Sequence, residues 1–390
     1  MKTAADILPG IIEFRHNLHR IPELAGHETL TQKAIRARLE PLNLEVLAPF
    51  LGTDTVALLH GRGPGRNVTL RADIDALKNT ENTGVEYASI HPGMMHACGH
   101  DAHTAMVMGA AEILASRREE FSGSIRFVWQ PGEENQSMGR ELIAAGALEN
   151  PKADLVTALH GMPGLPIGML GCRTGAIMAS CAHFKVTVHG KSGHSSRPHQ
   201  AIDPVLAASA MVVELQSIVS RRINPQHAAV LSVCRIAGGD IANVIPDEVV
   251  LEGTARSLDP YDDEILETGF REIVESVARA HGVTVDIDYH LGYPVTLNRP
   301  EATELARQVI RRTFGEAGYT ELPESSMAAE DFAEYQQEIP GLFFFLGVQE
   351  PTGTAPLHSS HFNFDERVLL TGVETFKRIL ECESKCTKKK

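Results

Sequence analysis

A chain of 390 residues exceeds what one hydrophobic core usually serves, so two domains are expected. Hydrophobic residues at 43% and charged residues at 22% are ordinary for a globular protein, while a formal net charge of −14 argues against nucleic-acid or anionic-membrane binding. No apolar run has the length of a membrane span and the stretch from Met1 to Pro9 lacks the apolar centre of a signal peptide, so the cytoplasm is the expected location.

The first half alternates helix and strand signals. Residues 11–18 and 29–39 carry helical spacing, and 67–71 reads as a short strand. A long alanine-rich helix is predicted over 101–117, with strands at 124–129 and 153–159. Such βαβ alternation predicts an α/β fold with a mostly parallel sheet and helices on both faces. The pattern changes after residue 178. A period-two strand at 182–190, a helix at 202–220, strands at 228–236 and 249–256, a helix at 262–281 and a strand at 283–290 follow in turn. That order predicts an inserted split βαβ (ferredoxin-like) domain over 179–291, a lid or dimerisation module. Helix signals resume at 302–314, 341–347 is a buried strand, and a helix over 365–382 closes a discontinuous catalytic domain made of 1–178 and 292–390.

Six cysteines stand at 98, 172, 181, 234, 382 and 386, without the spacing of a disulfide framework or a zinc ribbon. Cys172, Cys181 and Cys234 read as small buried apolar residues, and Cys382 and Cys386 as a pair one turn apart on a solvated helix end by the terminal lysines. Cys98 keeps different company. His96, Cys98, His100 and His103 place four donors within eight residues, and Gly99 lets the backbone turn so that Cys98 and His100 face one centre. A buried thiol beside surface histidines is the competing reading, and His96 and His103 fit helix-start or packing positions better than ligands. Glu133 and Glu134 follow a strand and Pro131-Gly132. Adjacent side chains at a strand end point different ways, so one carboxylate can bind metal while the other faces water. A solvated acidic turn is the alternative. His160 at the end of the next strand and His358 after the last buried strand would share the same rim of the sheet.

Five strings in order carry a resemblance: Leu70-Arg71-Ala72-Asp73-Ile74-Asp75, His96-Ala97-Cys98-Gly99-His100-Asp101, Gln130-Pro131-Gly132-Glu133-Glu134, Gly238-Gly239 with Asn243-Val244-Ile245-Pro246, and Glu330-Asp331-Phe332. Together they resemble the di-metal aminoacylase and carboxypeptidase G-like metallopeptidase superfamily, nearest to hippurate hydrolase and the auxin-conjugate amidohydrolases. The likeness runs from Arg15-His16-Asn17-Leu18-His19 to His358. It implies that Cys98 bridges two divalent metals, that His100 and His160 complete one and Glu134 and His358 the other, and that Glu133 is the general base. Asp75 would hold a metal ligand in position; a strand-end acid capping a turn is its plainer reading. In Gly193-His194-Ser195-Ser196-Arg197-Pro198-His199, His194 would reach a partner subunit's site and stabilise an oxyanion. Asn243 would orient the substrate carbonyl and Arg256 clamp its carboxylate.

The implied cofactors are two divalent ions, zinc or manganese first, with cobalt and nickel also allowed. The implied reaction is hydrolysis of small N-acyl amino acids by a homodimer or higher homo-oligomer, with a dipeptidase or carboxypeptidase of the same fold as the alternative. Lys78 stands where the family pattern commonly has proline, and the stretch from Asn135 to Arg140 replaces a usually glycine-rich segment beside the acyl pocket.

Overall fold

The computed structural model describes residues 3–383; Met1, Lys2, Cys386 and the terminal lysines lie outside the described residues. The chain forms two compact units. One runs up to Ile177 and adds Leu297–Glu324 and everything from Asp331 onward; the other comprises Met178–Thr296 and Ser325–Glu330. No helix among the described residues is long and apolar enough to cross a membrane.

The first unit is built on an eight-stranded sheet in the order Glu45–Val46, Thr55–His60, Ser124–Gln130, Asn67–Asp73, Leu155–Pro166, Gly341–Gln349, Leu170–Cys172, Tyr319–Glu321. The central pairs are parallel, and Thr55–His60 runs antiparallel beside Ser124–Gln130. Asn67–Asp73 and Ser124–Gln130 are buried at every position, as strands covered on both faces must be. The helix His100–Ala115 is correspondingly buried nearly all round, with only Glu112 and Ala115 reaching the surface.

Several boundaries differ from expectation for local reasons. The first helix starts at Ala4, because Thr3 and Asp6 form a reciprocal cap and the helix tolerates Pro9. The strand Thr55–His60 was not predicted, since four apolar residues in a row carry no period. The last helix begins at Val368, because Asp365 is spent upstream as a cap that accepts the Arg367 N–H at 2.8 Å. Cys382 is half-buried against the main core rather than on a solvated end.

In the second unit four strands form an antiparallel sheet in the order Ala229–Ala237, Glu248–Ser257, Cys181–His189, Thr284–Tyr293. Alternation along Cys181–His189 turns Phe184, Val186 and Val188 to a core shared with the helices Pro204–Arg221 and Pro260–His281. Asp203 and Asp259 cap those helices, each ahead of a proline in the first turn. Cys172 and Cys181 are buried, but Cys234 is exposed, contrary to its reading as a core residue. The ladder register shifts between Val233 and Arg235, and a bulge on an edge strand leaves Cys234 unpaired and outside.

Candidate metal centre

Cys98 ends the loop that leads into the helix His100–Ala115, with Gly99 between at φ +89°, a left-handed conformation that lets the sulfur and the first helical imidazole serve one centre. His100 Nδ1 donates to the Asp75 carbonyl at 3.0 Å, which leaves Nε2 to face the other way.

Glu133 and Glu134 do not extend from a strand end. They open the four-residue helix Glu133–Gln136, entered through Gly132 at φ +65°. Their divergence therefore comes from the helical turn and not from strand alternation. Asp75 caps this turn, with its two carboxylate oxygens accepting the Glu133 and Glu134 N–H groups, each at 3.0 Å. Its backbone carbonyl thus orients His100 while its side chain holds the glutamate pair.

His160 lies within Leu155–Pro166 rather than at its end, because pairing with Gly341–Gln349 continues past the Phe345–His160 pair. Its Nδ1 donates to the Gly161 carbonyl at 2.8 Å, and Nε2 stands 3.4 Å from Cys98 Sγ. His358 adopts φ +65°, unusual for a residue with a side chain, and is held by its N–H on the Ala97 carbonyl at 2.8 Å and by Asn79 on its own carbonyl at 2.9 Å.

Two triplets of donor atoms result, Cys98–His100–His160 and Cys98–Glu134–His358, each with its atoms within 4.8 Å of one another. Both contain the sulfur of Cys98. Glu133 joins His100 and Glu134 in a further triplet. His100 Nε2 and Glu134 Oε1 are buried without a hydrogen-bond partner. His358 Nε2 at 3.3 Å and His100 Nε2 at 3.9 Å both stand near that oxygen without hydrogen-bond alignment. Buried polar atoms left unpaired around a common point are what a cation would satisfy.

Electrostatics agree. Burial pushes the Cys98 thiol well up, and Glu134 and Glu133 push it further. Burial opposes protonation of His100, yet Asp73, Asp75 and Glu134 outweigh it and hold its pKa at about 10. His160 moves the other way, to about 3, through burial and the neighbouring His103. The cluster is short of positive charge, and the donor set fits two divalent cations.

A third triplet, Asp73–His100–His103, has its acid already engaged. Asp73 accepts from Arg71 Nη1 at 2.8 Å and from His103 Nδ1 at 2.7 Å. The roles of Asp73 and Arg71 were not foreseen; the only signal for His103 was its spacing of three from His100 on one helix face.

The second unit holds the other expected residues. Gly193–His194 pairs with Val244–Ile245, and the Asn243 carbonyl accepts the Ser195 N–H at 3.0 Å, so Asn243 borders the small ladder that carries His194. His194 is exposed, and its Nδ1 accepts the Ser196 N–H at 3.1 Å, which places the ring proton on Nε2. Arg256, half-buried on Glu248–Ser257, donates from Nη1 to the Met327 carbonyl at 3.0 Å rather than to an acid on the strand face.

An α/β sheet carrying a thiol, imidazole and carboxylate cluster of this kind defines a candidate dinuclear metal centre. The chain belongs to Peptidase family M20/M25/M40, whose model matches residues 69–381. It is 37% identical over 375 residues to N-acetyl-L-cysteine deacetylase of Bacillus subtilis, covering 95% of this chain and 88% of that protein. It is 38% identical over 374 residues to IAA-amino acid hydrolase ILR1-like 5 of Arabidopsis thaliana, covering 94% and 85%. Among solved structures it is similar to the Bacillus subtilis YXEP protein, described as a dinuclear metal binding peptidase, with 32% identity, TM-score 0.86 and coverage of 99% and 100%.

Proposed function

We propose that this hydrolase cleaves N-acyl amino acids, N-acetyl and N-benzoyl forms among them, to a carboxylic acid and a free amino acid. The observation that carries the reading is the Cys98 sulfur common to two ligand triplets, one completed by His100 and His160, the other by Glu134 and His358. When bound, two divalent ions supply Lewis acidity toward the acyl carbonyl and make water acidic enough to attack near neutral pH. Zinc suits the thiolate and imidazoles; manganese, cobalt and nickel are the other candidates.

Glu133, buried at the start of its helical turn, takes the proton of the attacking water and delivers it to the leaving amine. His194 offers Nε2–H as a donor to the developing oxyanion in a partner subunit's site, because Ser196 occupies Nδ1. Asn243 orients the carbonyl. Arg256 keeps donors beyond the one given to Met327, enough to grip an α-carboxylate. The names of the deacetylase and the amino acid hydrolase support an acylated amino acid as the substrate class.

We assign residues 179–291 to a lid and dimerisation domain. Its edge strand Ala229–Ala237 exposes Val230 and Ile236, and the helix Pro204–Arg221 exposes Leu206 and Val213, a surface suited to a second copy of the chain. A cytoplasmic location suits a protein whose described cysteines, Cys98, Cys172, Cys181, Cys234 and Cys382, are outside any disulfide.

The test compares wild type with Glu133→Ala on a panel of N-acyl amino acids and free dipeptides, with metal content measured by elemental analysis. The expected result is near-normal metal content with kcat lowered about 10²–10⁴-fold. Retained turnover removes Glu133 from its role. Faster hydrolysis of dipeptides than of acyl amino acids by wild type overturns the substrate class.

A further inference from the structure

His103 lies beside the metal ligands and belongs to neither triplet that contains Cys98. Its ring is buried and hydrogen-bonded at both nitrogens. The Gly161 N–H donates to Nε2 at 3.0 Å, and an amide N–H can only donate, so the ring proton sits on Nδ1. That proton goes to Asp73 Oδ1 at 2.7 Å. Arg71 holds the other Asp73 oxygen at 2.8 Å, so the carboxylate cannot swing away.

Pairing between Asn67–Asp73 and Leu155–Pro166 ends at Leu70–Thr157, and beyond it the Gly161 N–H meets a side chain instead of another strand. The carbonyl of the same residue accepts His160 Nδ1 at 2.8 Å. A carbonyl can only accept, so His160 carries its proton on Nδ1 and turns an Nε2 lone pair toward Cys98 Sγ, 3.4 Å away. One residue's backbone thus joins the two rings.

We propose that His103 is a positioning residue: anchored by Asp73, it pins Gly161 through its N–H, and the carbonyl of that same residue fixes the tautomer and direction of His160 toward the cation. The inference rests on reading His160 as a ligand. An apolar replacement of His103 would leave the Gly161 N–H and an Asp73 oxygen buried without partners, so Gly161 would keep its pairing with Leu346 but lose this second anchor.

The experiment uses the full-length chain as wild type, His103→Leu and His103→Gln, with circular dichroism as the control for folding. Long-range proton–nitrogen NMR of the metal-free protein reads the histidine tautomers. Wild type is expected to show Nδ1–H for both His103 and His160, and His103→Leu a His160 ring shifted toward a tautomer mixture. Titration with cobalt against a competing chelator is expected to show one of two affinities lowered about 10–100-fold in His103→Leu, the other unchanged. His103→Gln, which has both a donor and an acceptor, is expected to recover part of the loss. A folded His103→Leu with both affinities and the His160 tautomer unchanged overturns the proposal. So does a wild-type His103 protonated on Nε2, whether or not the leucine variant folds. A wild-type chain that binds fewer than two ions instead overturns the dinuclear reading, and the metal-free tautomers still decide the role of His103.

Discussion

The Arg71 guanidinium and the Asp331 carboxylate, 260 residues apart in sequence, meet at 2.6 Å in a fully buried pair. Asp331 also accepts from Gln130 Nε2 at 2.6 Å and from the Gly139 N–H at 2.9 Å, so it ties the strand ahead of the glutamate pair to the helix behind it. Removing Asp331 leaves Arg71 its pair with Asp73 but takes away a second buried carboxylate and the acceptor of Gln130 Nε2 and the Gly139 N–H. Asp331→Ala should therefore lower stability by about 3–5 kcal/mol, read as a drop in the urea midpoint, with Asp331→Asn intermediate. A midpoint unchanged in the alanine variant would show that the pair contributes nothing net.

Asp75 offers a test of the glutamate pair's placement. Its carboxylate caps the Glu133 and Glu134 N–H groups, each at 3.0 Å, so Asp75→Ala frees both while Asp75→Asn keeps one acceptor oxygen. Metal affinity by chelator competition should fall about 10–100-fold in the alanine variant and less in the asparagine variant. Equal affinity in all three proteins would limit Asp75 to a capping role.

What could be read ahead of the structure was what neighbours in sequence decide. Cys98 and His100 flank a glycine at a helix start, and Glu133 and Glu134 follow a glycine at another, so the donors announce themselves in short strings. The split order of strands and helices in the inserted unit was legible for the same reason, since each element carries its own period. Long-range pairings were not. The Gly161–His103 bond spans 58 residues and the Arg71–Asp331 pair 260, and nothing local marks a strand arginine as the partner of a distant acid. Cys234 was misread because a bulge is a property of the partner strand's register as much as of its own residues.

Gly99 is where backbone geometry and chemistry meet. A side chain at φ +89° costs about 1–2 kcal/mol, and the added Cβ would lie 3.5 Å from Phe364 Cε1, an ordinary contact, so strain and not collision sets the cost. Gly93, at φ +76° with nothing within 4 Å of its Cβ position, supplies the control. Gly99→Ala and Gly93→Ala should lose similar stability in denaturant melts, and only Gly99→Ala should weaken metal binding. Loss of affinity in both variants would mean that global destabilisation explains it.

The buried histidine His19, bonded to Asp101, is expected to make stability depend on pH. Burial opposes its charge, but Asp101 at 2.9 Å and Glu81 at 3.2 Å outweigh it and raise its pKa from 6.5 to about 9. Burial would likewise raise Glu81, but hydrogen bonds from His19, Thr83 and Ser89 lower it from 4.5 to about 2. A raised histidine contributes stability in full below its unfolded value and loses it as pH climbs through the folded one; a lowered carboxylate contributes above its unfolded value and loses it on acidification. The contribution therefore has its plateau between pH 4.5 and 6.5 and declines from 6.5 to 9 on the alkaline side. Because the two groups share one contact, their shifts are not added, and the alkaline loss is at most about 3–4 kcal/mol. Thermal melts of wild type should show the midpoint falling across that alkaline window, and His19→Gln, which cannot lose a proton there, should show a flatter profile from a lower starting value. Parallel profiles in the two proteins would place the pH dependence elsewhere in the chain.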